Sequence, residues 1–256
     1  KTGAGQAGGG DLPGCPASGE SCANELAKIS VELNEKYKDA LDKWCAIHID
    51  AADIIVGQGG EVVMLNMAWQ CNQYVATRVV QAVRANKCVY AGLSASTMVT
   101  AKSMEMTHEI QPGWIEAFAA SKKYLKSEYF DKNDKDGDGT KAFHLGALPL
   151  IDSPLAIRPH YSKSWENAVL KKNLAAEAEF EKESGIDIDD ALTKNSGAGC
   201  EQACKLLTII SSAPSMDQDN PVFIPIRNGK VIEVKVKPAG PDYPNREVFE
   251  SFHCIA

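Results

Sequence analysis

Short apolar runs that end at glycine or proline turns, separated by segments of helical periodicity, restrict the fold of this chain more than any other feature. The runs occupy residues 52–56, 88–91, 155–157 and 206–210. Apolar side chains at spacings of three and four predict helices at about 24–46, 61–71, 74–86 and 164–183. Apolar strands that alternate with helices indicate βαβ units. We therefore expect an α/β fold with a mainly parallel sheet and helices on both faces.

The C-terminal part has a different pattern. Asn228-Gly229 lies between two strand-like runs, Phe223–Arg227 and Lys230–Val236. Both central residues of a tight hairpin turn need positive φ, which Asn and Gly adopt readily. We therefore expect a C-terminal β-hairpin that turns at Asn228-Gly229.

Composition excludes several classes of protein. Of the 256 residues, 44% are hydrophobic, which is enough to build a core and excludes a wholly disordered chain. The net charge of −7 and the lack of a dense Lys/Arg block argue against binding to nucleic acid. The longest apolar runs are too short to span a bilayer, so no transmembrane segment is expected.

The chain is expected to consist of a tail and one domain. Residues 1–20 are Gly-rich and predict a tail or loop. Residues 21–256 are expected to form a single α/β domain, with an insertion at about 111–141. The first residue is Lys1 rather than Met, which predicts a processed or truncated product.

Eight cysteines bear on the cellular compartment. Two close pairs, Cys15/Cys22 and Cys200/Cys204, have the spacing of small disulfide loops, whereas Cys71 and Cys88 lie in apolar segments and are interpreted as buried free thiols. A mixture of disulfides and free thiols favours a secreted chain or one in an organelle lumen, with the cytoplasm as the alternative. Zinc is not indicated, because there is no CxxC and the five histidines are scattered.

The segment Gly92-Leu93-Ser94-Ala95-Ser96 follows a predicted strand and precedes a predicted helix. A sharp strand-to-helix turn lifts the side chain at the bend out of the fold, and the following amide points at whatever that side chain attacks. This predicts Ser94 as a nucleophile and the Ala95 amide as an oxyanion donor. The alternative is an ordinary helix cap.

A serine nucleophile needs a base and a group that orients the base. His160 follows the predicted strand at 155–157, so it is expected at the same carboxyl edge as Ser94. Glu109 lies fifteen residues beyond Ser94 and is the candidate orienting acid. His108 is a rival base, although its position next to Glu109 suits the relay poorly. Solvent-exposed residues without a catalytic role are the alternative for both His160 and Glu109.

Four motifs of this chain follow one another in a fixed order along residues 54–161. A glycine turn at 54–60 is followed by the elbow at 90–95, an acidic element at 106–110 and a Pro-His-Tyr element at 157–161. Over about residues 53–161, the chain resembles the dipeptidase E (aspartyl dipeptidase) and cyanophycinase family of serine peptidases.

The resemblance implies a fold, an activity and a site. The fold would be class I glutamine amidotransferase-like, and the activity would be hydrolysis of Asp-containing dipeptides or small isopeptides without a required cofactor. The implied roles are nucleophile for Ser94, base for His160 and orienting acid for Glu109. The implied oxyanion hole is formed by the amides of Gly59 or Gly60 and Ala95. A small peptide is the expected substrate, and a homo-oligomer or larger protein assembly is the expected partner.

Two departures from the family pattern motivate an alternative function. Ser96 stands where the elbow usually has its second glycine, and Gln58 interrupts the glycine turn. The alternative is a catalytically inactive member that serves as a binding or structural subunit of a larger assembly.

A second constellation of side chains indicates a metal. Asp134, Asp136 and Asp138 are followed by a glycine, as in the first half of a calcium loop, and Thr140 offers its backbone carbonyl. Leu145 stands where a closing glutamate is expected, so a full EF-hand is not indicated. An acidic, solvated insertion without a metal is the favoured interpretation. The alternative is a looser Ca²⁺ loop closed by a distant carboxylate, and a calcium-responsive binding protein is the corresponding third class of function.

Overall fold

The computed structural model describes residues 32–104, 146–188, 199–213, 220–238, 240–241 and 248–255. In chain order, its helices are α1 (Lys38–His48), α2 (Val62–Cys71), α3 (Gln73–Arg84), α4 (Ala95–Met98), α5 (Glu166–Ser184) and α6 (Cys200–Ser212). Its strands are β1 (Ile54–Gly57), β2 (Val89–Gly92), β3 (Leu155–Arg158), β4 (Val222–Pro225), β5 (Val231–Pro238) and β6 (Val248–Ile255). A 3₁₀ turn at Lys163–Trp165 precedes α5. Within these ranges, no helix has both the length and the apolar character needed to cross a bilayer.

Strands β1 and β2 form a parallel pair. The register runs from Ile54 opposite Val89 to Gly57 opposite Gly92. The chain therefore leaves both strands at the same edge, and the glycine turn after β1 lies beside the strand-to-helix turn after β2.

Strands β3 and β4 form a second parallel pair, with Arg158 opposite Pro225 at its carboxyl end. The ladder continues beyond the strands, because Ile226 donates its N–H to the Arg158 carbonyl at 2.9 Å and Tyr161 donates to the Ile226 carbonyl at 3.0 Å. The segments that follow β3 and β4 are thus held side by side.

Helices α3, α5 and α6 contribute fully buried side chains to the core, among them Val79, Phe180 and Leu206. The chain is a mixed α/β protein with small parallel sheets, so the expected fold class is confirmed at this level. The strands of the described ranges form three two-stranded sheets, and a single bridge between Ser103 and Ala156 joins the segment after α4 to β3.

One prediction about the C-terminal region is wrong. The hairpin across Asn228-Gly229 does not form, since β4 pairs with β3 and β5 pairs with β6 in an antiparallel hairpin of its own. Every residue of β4 is buried, whereas burial alternates along β5. The buried strand β4 and the half-exposed strand β5 therefore lie in different sheets. The Asn228-Gly229 turn connects these two sheets and does not close a hairpin.

The apolar run at 206–210 was expected to be a strand and is instead part of α6. Its buried residues have helical spacing, because Ala203 and Cys204 precede Leu206, Leu207 and Ile210 on one face. A short apolar run cannot be assigned from periodicity within the run alone. Helix α1 overlaps the predicted helix at about 24–46 and extends to His48.

Several predictions lie outside the described residues. They concern the Gly-rich segment 1–20, Cys15/Cys22, the insertion at about 111–141, Glu109 and His108. The calcium loop of Asp134, Asp136, Asp138 and Thr140 also lies outside them. All of these stay predictions.

Candidate active site

Ser94 occupies a sharp corner between β2 and α4. Its backbone has φ 55° and ψ −118°, a combination that residues other than glycine rarely adopt. Gly92 gives this corner room, because a Cβ there would lie 3.1 Å from the Ser96 carbonyl oxygen and from the Thr97 amide. The backbone thus has the strained geometry of a nucleophile elbow.

Ser96, which replaces the usual glycine, is buried and braces the elbow. Its hydroxyl accepts a hydrogen bond from Leu93 N–H at 2.7 Å and donates to the Gly57 carbonyl at 2.6 Å. Leu93 N–H also lies 3.0 Å from the same Gly57 carbonyl oxygen. The departure at position 96 therefore adds a link between the elbow and the end of β1.

The glycine turn after β1 lies directly against the serine. A Cβ placed on Gly59 would lie 3.0 Å from Ser94 Cβ, so a side chain there would crowd the serine. At the elbow, Ala95 N–H has no hydrogen-bond partner among the described residues. The amides predicted for the oxyanion hole thus belong to backbone segments that adjoin Ser94.

His160 lies next to Ser94 although the two are 66 residues apart in sequence. Ser94 Oγ is 2.9 Å from His160 Nε2. On the other side of the ring, His160 Nδ1 is 2.8 Å from Asn228 Oδ1. His160 also has positive φ, at 55°, and only Asn86 shares this property with Ser94 and His160 among the described non-glycine residues.

The amide of Asn228 fixes the proton on the imidazole. An amide oxygen only accepts hydrogen bonds, so Nδ1 must carry the proton that it donates to Asn228. Nε2 is then unprotonated and accepts the Ser94 hydroxyl proton. This is the tautomer that a general base needs.

Sequence reasoning did not identify Asn228, because Asn228 was assigned to a hairpin turn. The signal that would have found it is the pairing of β3 with β4, whose carboxyl ends bring the residues that follow each strand to one edge. Glu109, the predicted partner of His160, lies outside the described residues.

A pocket of about 380 Å³ lies beside the turn that carries Asn228. Tyr161, Arg227 and Lys230 line it, and the Arg227 guanidinium is 5.9 Å from the centre of the Tyr161 ring. Burial raises the pKa of the Tyr161 phenol, and Glu166 adds to the rise. Tyr161 and Arg227 directly adjoin His160 and Asn228 in sequence, so the pocket and the two candidate site residues draw on the same two segments.

Comparison with known proteins gives one match. The profile described as Peptidase family S51 matches residues 24–193, which is more than half of the chain. This is the dipeptidase E and cyanophycinase family, so the resemblance seen in the motifs is confirmed. No curated protein and no solved structure gives a significant match. The matched segment includes Ser94 and His160 and ends before Asn228.

Proposed function

Because the chain belongs to peptidase family S51, we propose that it is a serine hydrolase in which Ser94 is the nucleophile and His160 the general base. The observation that carries the proposal is the 2.9 Å separation of Ser94 Oγ and His160 Nε2, made by a serine in elbow geometry. A hydroxyl and an imidazole at this distance can exchange a proton directly.

In the proposed reaction, His160 Nε2 removes the proton as Ser94 Oγ attacks the carbonyl carbon of a peptide bond. The amides of Ala95 and of Gly59 or Gly60 stabilise the negative oxygen of the tetrahedral intermediate. His160 then returns the proton to the leaving amine, and water hydrolyses the acyl-enzyme by the same route. All of these groups are side chains or backbone of the chain itself.

Asn228 is proposed as the group that orients His160. Its amide oxygen holds the Nδ1 proton, as the asparagine of a Cys-His-Asn triad does, but it brings no negative charge to balance an imidazolium. The predicted role of Glu109 as orienting acid stays a proposal. Because Asn228 already occupies Nδ1, Glu109 would have to act on the charge of the ring through space.

We propose Asp-containing dipeptides or small isopeptides as substrates, in keeping with the family resemblance. Arg227 and Lys230, which line the pocket described above together with Glu166 and Glu201, are the proposed partners of the substrate carboxylate. We also propose that residues 21–256 form one domain of the class I glutamine amidotransferase type, with the insertion at about 111–141.

A fluorophosphonate probe tests the nucleophile. We expect the folded protein to be labelled and Ser94→Ala to abolish the labelling. Ser212→Ala is the matched control, because Ser212 is exposed at the end of α6, and it should be labelled like the wild type. Hydrolysis of Asp-containing dipeptides should be lost in Ser94→Ala alone.

The alternative function is a non-catalytic subunit of a larger assembly, and Asn228 is the observation that favours it. A neutral orienting group stabilises the imidazolium less than a carboxylate does. Absence of labelling of well-folded protein between pH 6 and 9 would support this alternative over the hydrolase.

A further inference from the structure

Three cysteines meet at one side of the pocket described above. Cys200, at the start of α6, forms a disulfide with Cys254 of β6, so the predicted Cys200/Cys204 bridge is wrong. Cys204 lies one helical turn after Cys200 and is a buried free thiol. The three Sγ atoms all lie within 4.8 Å of one another. A free thiol is therefore positioned next to an existing disulfide.

We propose that Cys200, Cys204 and Cys254 form a thiol–disulfide exchange site in which the disulfide migrates from Cys200–Cys254 to Cys204–Cys254. The attacking group is the Cys204 thiolate. The Cys204 Sγ–Cys254 Sγ bond forms, the Cys200 Sγ–Cys254 Sγ bond breaks, and Cys200 leaves with the electron pair. Cys204 gives up one proton to solvent and Cys200 takes up one, so the step needs neither an oxidant nor a reductant.

The position of Cys200 favours it as the leaving group. It is the first residue of a 13-residue helix, where the backbone amides stabilise a thiolate. Arg227 and Lys230 line the same pocket as Cys200, as do Glu166 and Glu201, so the helix N-terminus is the feature that favours ionisation of Cys200. A thiol that ionises readily leaves faster than one that does not.

The environment of Cys204 controls when exchange begins. Burial raises the pKa of the Cys204 thiol to about 12, with Glu201 adding to the rise. At neutral pH only a very small fraction of Cys204 is thiolate, so exchange is slow. Raising the pH increases that fraction in proportion to the hydroxide concentration.

Migration would change the chemistry of the pocket. Cys200 and Cys254 line it, whereas Cys204 lies beneath. After exchange, the free thiol is Cys200, which faces the pocket beside the turn that carries Asn228. A buried, unreactive thiol is thereby replaced by an accessible one at a helix N-terminus.

The experiment maps free thiols as a function of pH. The wild-type protein is incubated between pH 7 and 10, within the range where its circular dichroism is unchanged. It is then quenched in acid, alkylated in denaturant with N-ethylmaleimide and digested for mass spectrometry. We expect Cys204 to be the alkylated member of the three at pH 7. At higher pH alkylation should shift to Cys200, at a rate that rises about tenfold per pH unit. Alkylation that stays on Cys204 throughout would overturn the proposal.

Two variants serve as controls in the same experiment. In Cys204→Ser no member of the three should become alkylated, and appearance of free Cys200 there would overturn the proposal. Cys88→Ser removes another buried free thiol and should leave the migration rate unchanged. The rate should also be independent of protein concentration, because a concentration-dependent rate means that thiols of other molecules carry out the exchange.

A third variant tests whether Cys204 and Cys254 are close enough to form a disulfide, without relying on high pH to ionise Cys204. In Cys200→Ser, Cys204 and Cys254 remain, and oxidised glutathione at pH 8 should convert them to a Cys204–Cys254 disulfide. Failure of this bond to form in protein with wild-type circular dichroism would overturn the proposal. Neither result depends on peptidase activity, so the exchange site stands or fails separately from the proposed function.

Discussion

In the proposed hydrolase, Asn228 limits how strongly His160 acts as a base towards Ser94. Its amide oxygen, 2.8 Å from Nδ1, selects the tautomer in which Nε2 is free to accept a proton. A carboxylate in this place would also stabilise the imidazolium formed during attack, which an amide does only through its dipole. The site therefore has the geometry of a relay with a weaker electrostatic contribution.

Asn228→Asp is expected to increase the rate of fluorophosphonate labelling by about tenfold, because charge-assisted hydrogen bonds are roughly twice as strong as neutral ones. Asn228→Ala is expected to lower the rate by a similar factor, since nothing then holds the ring. The measurement is the second-order labelling rate at pH 7. Equal rates in the wild type and Asn228→Ala would show that Asn228 does not position His160.

Ser96 is expected to stabilise the elbow. Ser96→Ala removes the acceptor for Leu93 N–H and the donor to the Gly57 carbonyl in a buried setting, so we expect a loss of about 1–2 kcal/mol in the free energy of unfolding. Urea denaturation measures it. The exposed Ser212→Ala should stay close to wild type. If Ser96→Ala and Ser212→Ala unfold at the same urea concentration, the hydrogen bonds of the Ser96 hydroxyl do not stabilise the fold.

Among the structural elements, α2, α3, α5 and the first three strands follow directly from the sequence. Their apolar residues repeat at helical spacing, or run together before a turn, so the local pattern and the tertiary structure agree. The same reasoning predicts that Ser94 and His160 lie at one edge, since each follows a parallel strand.

The elements that could not be predicted depend on pairing between distant segments. The Asn228-Gly229 turn is locally suited to a hairpin, but burial of β4 on both faces commits it to β3. The disulfide between Cys200 and Cys254 spans 54 residues, whereas local spacing predicts a bridge between Cys200 and Cys204. Asn228 was overlooked as a site residue for the same reason, since its proximity to His160 follows from the β3–β4 pairing.

Glu250 connects β6 to the start of β3. Its buried carboxylate accepts hydrogen bonds from Asp152 N–H at 2.7 Å and Ser153 N–H at 2.9 Å, and Arg84 lies 3.5 Å away. Burial raises the pKa of the Glu250 carboxyl, although the two N–H donors lower it in part. Glu250 is thus one anchor of the segment that leads into β3 and His160, and Arg84 is another, because it donates to the Leu150 carbonyl and pairs with Asp152.

Glu250→Gln is expected to lower the free energy of unfolding by about 1–3 kcal/mol, because the amide NH₂ faces one of the two N–H donors. With a raised folded-state pKa, the folded wild type holds its proton more tightly than the unfolded chain. Its stability therefore falls as pH rises above the unfolded pKa. The difference between wild type and variant should shrink from pH 4.5 to 7.5 in urea denaturation. A difference that grows with pH would contradict the direction of the shift.

For the molecule as a whole, calcium binding is a function that a change in stability can test, through the predicted loop of Asp134, Asp136 and Asp138. A ligand that binds only the folded state stabilises it by mass action. If Asp134, Asp136 and Asp138 bind Ca²⁺, the melting temperature should rise with Ca²⁺ up to millimolar concentrations. Asp136→Asn should reduce the rise, with Asp187→Asn as a control outside the loop. An unchanged melting temperature in the wild type would reject the loop as a site.

The backbone corners at Ser94 and His160 have a consequence for how this chain tolerates mutation. Positive φ costs a residue with a side chain about 1–3 kcal/mol, and glycine would remove most of that cost. Glycine at either position is therefore expected to raise the free energy of unfolding while it removes the side chain. The contact between a hydroxyl and an imidazole at two such corners thus comes at a cost in folding stability.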